Sequence, residues 1–147
     1  QSILGSRNDT IVSKLPECKV SDDVKMLTDT NIAFIATVNK DGSPQVTPVW
    51  IHMEGDLIIV NTEVGRVKQL NVERDPRVSI SLVDRNDPYK FLGLDGTVIE
   101  QTTVDADSGI DALSKKYLNK DKYPFRKPDE KRITLKIRPE KKYKFEG

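Results

Sequence analysis

Nine consecutive residues, Val60-Asn61-Thr62-Glu63-Val64-Gly65-Arg66-Val67-Lys68, combine a strand end, a hydroxyl, a glycine, a helix start and two cations. That combination suits a phosphate. Unpaired amides at a helix N-terminus point outward and attract anions, the Thr62 hydroxyl can donate, Arg66 carries a planar fork of donors and Lys68 a compact charge. The same residues would equally make a solvated helix start with two exposed cations, and their chemistry leaves both readings open.

A second segment, Pro44-Gln45-Val46-Thr47-Pro48-Val49-Trp50-Ile51-His52, is strand-like yet carries two prolines and the only tryptophan. Pro48 has no N–H for a ladder, so this part of the strand belongs at an edge or beside a bulge. The backbone groups left free there can read the polar rim of a flat heterocycle, with Trp50 shaping the pocket. Alternatively Trp50 fills the core, the commoner fate of a lone tryptophan in a strand. Two further segments, Asp87-Pro88-Tyr89-Lys90-Phe91 and Tyr123-Pro124-Phe125-Arg126-Lys127-Pro128, mix aromatic and basic residues and could frame the mouth of a pocket.

Other chemistries lack their residues. There is no Gly-x-Ser-x-Gly elbow, paired-cysteine zinc spacing or Walker loop, so no metal site is expected. Cys18 and His52 are each the only residue of their type, and a structural role for both outweighs a thiol–imidazole pair. With scattered carboxylates and no acid, base or nucleophile constellation, an enzyme of this sequence would rely on a cofactor for its reaction.

Composition narrows the partners. Twenty-four Lys and Arg against 23 Asp and Glu leave a net charge of +1, so no overall field points to nucleic acid or an anionic membrane, and any anion site must be local. A lone cysteine fits a reducing compartment. Without a run of about 20 apolar residues or a leader-like start, the expectation is a soluble, cytoplasmic chain. At 147 residues, one domain spanning 1–147 is expected.

The elements that must position these residues follow from periodicity. Residues 1–19 lack a sustained period and read as an extended arm whose order depends on a partner chain. Ser21 is placed to cap a short helix containing Val24, Met26 and Leu27. Ile32–Val38, Gln45–Met53, Leu57–Asn61 and Val78–Val83 are short and rich in β-branched residues, hence strands. Asp41-Gly42 and Glu54-Gly55-Asp56 join the first three as tight hairpins, predicting an antiparallel meander. Gly65–Arg74 fits a short helix stopped by Asp75-Pro76, and Tyr89–Gln101 a long strand bent at Gly93 and Gly96. Asp107–Leu118 has amphipathic spacing, and Arg132–Ile137 alternates as a strand that Tyr143–Phe145 extends past Pro139. The sum is a mainly β fold with peripheral helices, most economically a small barrel of about six antiparallel strands.

Taken together, these residues resemble the pyridoxamine 5'-phosphate oxidase-like split-barrel flavoproteins, with their Greek-key-like barrel, and within them the deazaflavin-dependent branch that uses coenzyme F420. The carriers are Asp41-Gly42-Ser43-Pro44 through Pro48-Val49-Trp50, Asn61-Thr62 with Gly65-Arg66-Val67-Lys68 and Asn71, and Asp75-Pro76-Arg77-Val78. Asp87-Pro88-Tyr89 with Gly96, Lys116-Tyr117-Leu118, Tyr123-Pro124-Phe125, Arg132 and Arg138-Pro139-Glu140 continue it. The resemblance implies a cofactor ring along Thr47, Pro48, Val49, Trp50 and Ile51, and a phosphate held around Asn61, Thr62, Arg66, Val67 and Lys68. It further implies a homodimer with cofactor sites at the subunit interface, where Tyr89, Tyr123, Phe125 or Arg126 of the second chain would complete each pocket. Hydride transfer to or from a small electron-poor substrate would follow, with FMN as the alternative cofactor. A non-catalytic flavin- or tetrapyrrole-binding protein is the competing reading. A basic groove including Lys14 or Lys127 would suit the long acidic tail of a deazaflavin.

Overall fold

Alternation at every second residue turns one side of each strand inward, and Ala33–Val38 does so with Ala33, Ile35 and Thr37 buried and Phe34 exposed. A computed structural model describes residues 10–14 and 23–145. The elements run β1 (Thr10–Lys14), α1 (Val24–Thr28), β2 (Ala33–Val38), β3 (Pro44–Val49), β4 (Ile51–Glu54) and β5 (Leu57–Glu63). They continue with α2 (Val67–Arg74), β6 (Arg77–Asp84), β7 (Asp87–Thr102), α3 (Ala106–Leu118) and β8 (Arg132–Phe145). Of the expected arm, Thr10–Lys14 forms a strand antiparallel to β8. The rest of that arm, Cys18 and the expected cap Ser21 lie outside the described residues.

All strand pairs are antiparallel, in the order β3-β2-β6-β7-β8-β5-β4, with β1 added on β8. The sheet therefore has eight strands rather than about six, because the expected second strand is two and β1 is a further one. It is also not a simple meander. The segment Gln45–Met53 breaks at Trp50, so β3 pairs with β2 at one edge and β4 with β5 at the other. The two edges of the curled sheet are thus consecutive pieces of chain.

Side chains of α3 brace the chain at the break. The Ile51 amide donates to the Tyr117 hydroxyl at 3.2 Å, and the Ile51 carbonyl accepts the Lys116 ammonium at 2.6 Å. Side chains from a helix thus supply partners where the chain leaves one ladder for another. Lys116 also donates to the Leu27 carbonyl at 3.2 Å, tying α1 to the same point. Half-burial, only slightly opposed by the charge of Asp29, holds its ammonium down at about 8.

Inside the curl, Ile35, Ile51, Ile58, Val60, Ile80, Leu82, Leu92, Leu94, Leu135 and Ile137 form one continuous core with Met26 and Leu27 of α1. Each such side chain stabilises the fold by about 1.5–3 kcal/mol relative to exposure. The long strands β7 and β8 slip register at Asp95/Gly96, where Gly96 faces Pro139. At this irregularity β8 runs through Pro139 unbroken. Of the two expected bends in β7, only that at Gly96 coincides with a register shift; Gly93 instead lies under the rings of Phe91 and Tyr143. Among the described residues, no helix is long and apolar enough to cross a membrane.

Candidate functional site

The end of β5 and the start of β8 run side by side, Asn61 opposite Thr134 and Glu63 opposite Arg132. Beyond Glu63 the chain turns through Val64 and Gly65, whose φ of 95° is open to glycine at no steric cost. The Val64 amide donates to the Lys131 carbonyl at 2.8 Å, and the Gly65 amide to the Gln69 side chain at 2.9 Å. The turn then delivers Arg66 as the residue before α2 and Lys68 into its first turn.

These residues face a cavity of about 260 Å³ lined by Pro48, Val49, Trp50, Asn61, Thr62, Arg66 and Lys68, together with Ile32, Ile110, Leu113, Tyr123, Phe125 and Arg132. The two segments singled out for their chemistry, distant in the sheet order, therefore share one wall. Thr47, Ile51 and Val67 do not line it: Ile51 is in the core, Val67 is exposed, and the Thr47 hydroxyl is buried without a hydrogen-bond partner. Tyr123 and Phe125 line the cavity of their own chain. Arg126 is bound instead to Asp107 and Asp111, at 3.0 and 2.9 Å, and Tyr89 is exposed far from this cavity's lining, so the two aromatic and basic segments do not frame one mouth within a chain.

Trp50 is not a core residue. It stacks on Tyr117 with centroids 5.4 Å apart and planes 8° from parallel, and meets the edge of Tyr123 at 6.0 Å. His52 sits half-buried on β4, where burial and the Lys116 ammonium push its imidazole below the ordinary value.

Three cations line the cavity, and their surroundings differ. Arg66 donates from Nε to Glu63 Oε1 at 3.2 Å and has a terminal nitrogen 3.1 Å from the same oxygen. Arg132, only 5% exposed, donates to Asn61 Oδ1 at 2.9 Å, lies 3.1 Å from Glu130 Oε1 and places its guanidinium 5.2 Å from the Tyr123 ring centroid. Sequence reasoning placed Arg132 at a strand start and missed it as a wall of this cavity; its only signal was register, opposite Glu63. Lys68 is 8% exposed and has no hydrogen bond or ion pair to any described residue. Burial first, then the charges of Arg66 and Arg132, pushes its ammonium below the ordinary lysine value. An ammonium partly desolvated at the cavity wall and without a carboxylate partner is disfavoured, and an anion in the cavity would relieve that. Of the expected solvated helix start, Arg66 is exposed, while the Lys68 side chain is mostly covered and reaches the cavity wall.

The family model for pyridoxamine 5'-phosphate oxidase matches residues 23–145. The chain belongs to that family. Among solved structures, an F420 reductase is similar at 26% identity and a TM-score of 0.70, over 85% of this chain and 95% of that one. A conserved hypothetical protein from Mycobacterium tuberculosis shares the fold at 20% identity and a TM-score of 0.65, over 96% and 89% of the two chains. A protein from Lactobacillus delbrueckii described as a putative pyridoxamine 5'-phosphate oxidase does so at 21% identity and 0.60, over 88% and 97%. The family is one of split barrels that includes flavin-binding oxidoreductases, and the antiparallel, mainly β architecture agrees with it.

Proposed function

We propose that this chain is an oxidoreductase that holds coenzyme F420, with the cofactor phosphate on Thr62, Arg66 and Lys68 and its ring against Pro48, Val49 and Trp50. The observation that carries the reading is Lys68, a partly desolvated cation with no carboxylate partner among the described residues, in a cavity whose other wall is an edge strand. The donor set fits the group: a hydroxyl, a guanidinium and an ammonium converge on one cavity, as a phosphate requires. Likeness to an F420 reductase at 26% identity supports the deazaflavin over other rings.

When bound, the ring supplies hydride transfer to or from an electron-poor organic substrate. The protein contributes position and exclusion of water. Edge strand β3 presents backbone unpaired on its outer side, and Pro48 keeps that edge from recruiting a further strand. Ile110, Leu113 and Phe125 form an apolar floor and rim. Trp50 is fixed by its stack on Tyr117, so the wall it forms is set before any ligand arrives.

A volume of about 260 Å³ encloses only part of a ring-and-tail cofactor. A second copy of the chain supplies the remaining cover. Phe34 and Val46, 48% and 62% exposed on the outer face of β2 and β3, are apolar surface for such a partner.

Titration of the purified chain with F420, followed by addition of unsaturated ketones or quinones to the reduced complex, tests the reading. Binding and reoxidation are expected. Arg66→Ala with Lys68→Ala should weaken binding by about 1.5–3 kcal/mol for each charge-assisted bond lost; unchanged binding would refute the site. Tight binding without turnover of any acceptor would make the protein a carrier.

A further inference from the structure

The charges around the cavity nearly cancel, and the remainder is small. Of its three cations, Arg66 is engaged by Glu63 and Arg132 by Glu130, whose side chain is only 1% exposed. Asp107 and Asp111 on the α3 side are balanced by Arg126 and, at 3.7 Å from Asp111, Lys122. Lys68 alone is left without a carboxylate among the described residues. We propose that Glu63 and Glu130 act as specificity residues, trimming the cavity to one uncompensated positive charge so that it selects a singly charged phosphodiester over a doubly charged phosphomonoester. The inference rests on the cofactor reading above.

Two features of shape agree. Glu63 and Arg132 are direct ladder partners, so the β5–β8 pairing brings the half-exposed Glu63–Arg66 pair beside the buried Glu130–Arg132 pair. The turn after β5, beside the cavity, also lies at the surface. Val64 and Val67 are exposed, and nothing lies within 4 Å of the Cβ position at Gly65. A diester, which has a second substituent beyond the phosphorus, can leave through that side. A terminal phosphate gains nothing from that side. Burying two negative charges against one free cation leaves a net charge in a partly desolvated site, whereas a single negative charge is balanced.

The sign of a pH dependence separates this selection from an ordinary cation cradle. FMN carries a phosphomonoester whose second proton dissociates near pH 6, going by phosphomonoesters in general, and riboflavin is the same ring without it. The ratio of their affinities for the full chain, read by Trp50 fluorescence, isolates the phosphate. From pH 8 to pH 5.5 the FMN advantage should grow about tenfold in the wild type, as the phosphate becomes singly charged. Glu63→Gln should raise the FMN-to-riboflavin affinity ratio about tenfold at pH 8 and abolish that growth. Glu63 is the variant of choice, because Glu130→Gln would loosen a buried ion pair. The wild-type profile itself needs no substitution. An FMN advantage that shrinks in acid, or a Glu63→Gln ratio equal to wild type, overturns the inference while leaving the cofactor site standing. If neither F420, FMN nor riboflavin binds, the cofactor reading falls and the selection with it.

Discussion

Trp50 and Tyr117 stack 5.4 Å apart at the point where one edge of the sheet becomes the other. The Tyr117 hydroxyl donates to the Asn31 carbonyl at 2.7 Å and accepts the Ile51 amide at 3.2 Å, so one residue both supports the cavity wall and completes the backbone at the break. Tyr117→Phe keeps the ring and removes both bonds. It should cost about 1–3 kcal/mol, the usual penalty for stranding buried polar groups. A urea midpoint lowered at constant slope, followed by Trp50 emission, is the expected result.

Lys68 trades stability for binding. Lys68→Met replaces an unpaired, largely buried ammonium with an apolar side chain of similar length. The free protein should be unchanged or modestly more stable at pH 7, while F420 affinity should drop by about 1.5–3 kcal/mol. Thermal unfolding with and without F420 checks both halves, and a less stable free protein would contradict the account of Lys68 as uncompensated.

Stability should pass through a maximum in mildly alkaline solution. Lys116 titrates at about 8 in the folded chain against 10.5 for a free lysine, because burial outweighs the attraction of Asp29. Between those values the unfolded chain binds more protons, so stability rises with pH. Tyr143, which bonds Asp95, is pushed up to about 12 by burial and by that carboxylate, against an ordinary 10.0. Stability resting on the neutral phenol is therefore complete below pH 10 and is lost from there to about 12. Urea midpoints should climb from pH 8 to about 10 and fall beyond; Lys116→Met should flatten the climb, and Tyr143→Phe the fall.

Two glycines should respond to substitution for different reasons. At Gly65 the backbone has φ 95° with nothing within 4 Å of a new Cβ, so Gly65→Ala should cost about 1 kcal/mol from backbone strain alone. At Gly96 a Cβ would lie 2.6 Å from the Arg138 carbonyl oxygen, and β7 or β8 must move. Gly96→Ala should cost about 1–3 kcal/mol, as overpacking does. Denaturant unfolding of the two variants side by side would show Gly96→Ala as the worse, and Gly65→Ala should also weaken FMN binding by displacing Arg66.

Local chemistry made the strands legible. Short β-branched runs ended by Asp41-Gly42 and Gly55-Asp56 mark hairpins because those turns need positive φ, which Gly42 and Gly55 adopt at 88° and 62°. The helices over 67–74 and 106–118 follow from breakers and amphipathic spacing, and Asn61, Thr62, Arg66 and Lys68 drew notice through residue type alone. What the chain could not declare was which ladder each strand joins. Gln45–Met53 has the composition of one strand, yet it divides at Trp50 into strands on different ladders, where Lys116 and Tyr117, some 65 residues later, bond to Ile51. Likewise Arg132 belongs to the cavity because β8 lies against β5 in a register that sets it opposite Glu63. Residue types determine which local conformations and which chemistry are open to the chain. Pairing between distant segments decides what is buried, and it is the cover this gives the Lys68 side chain that sets it apart from an ordinary surface cation.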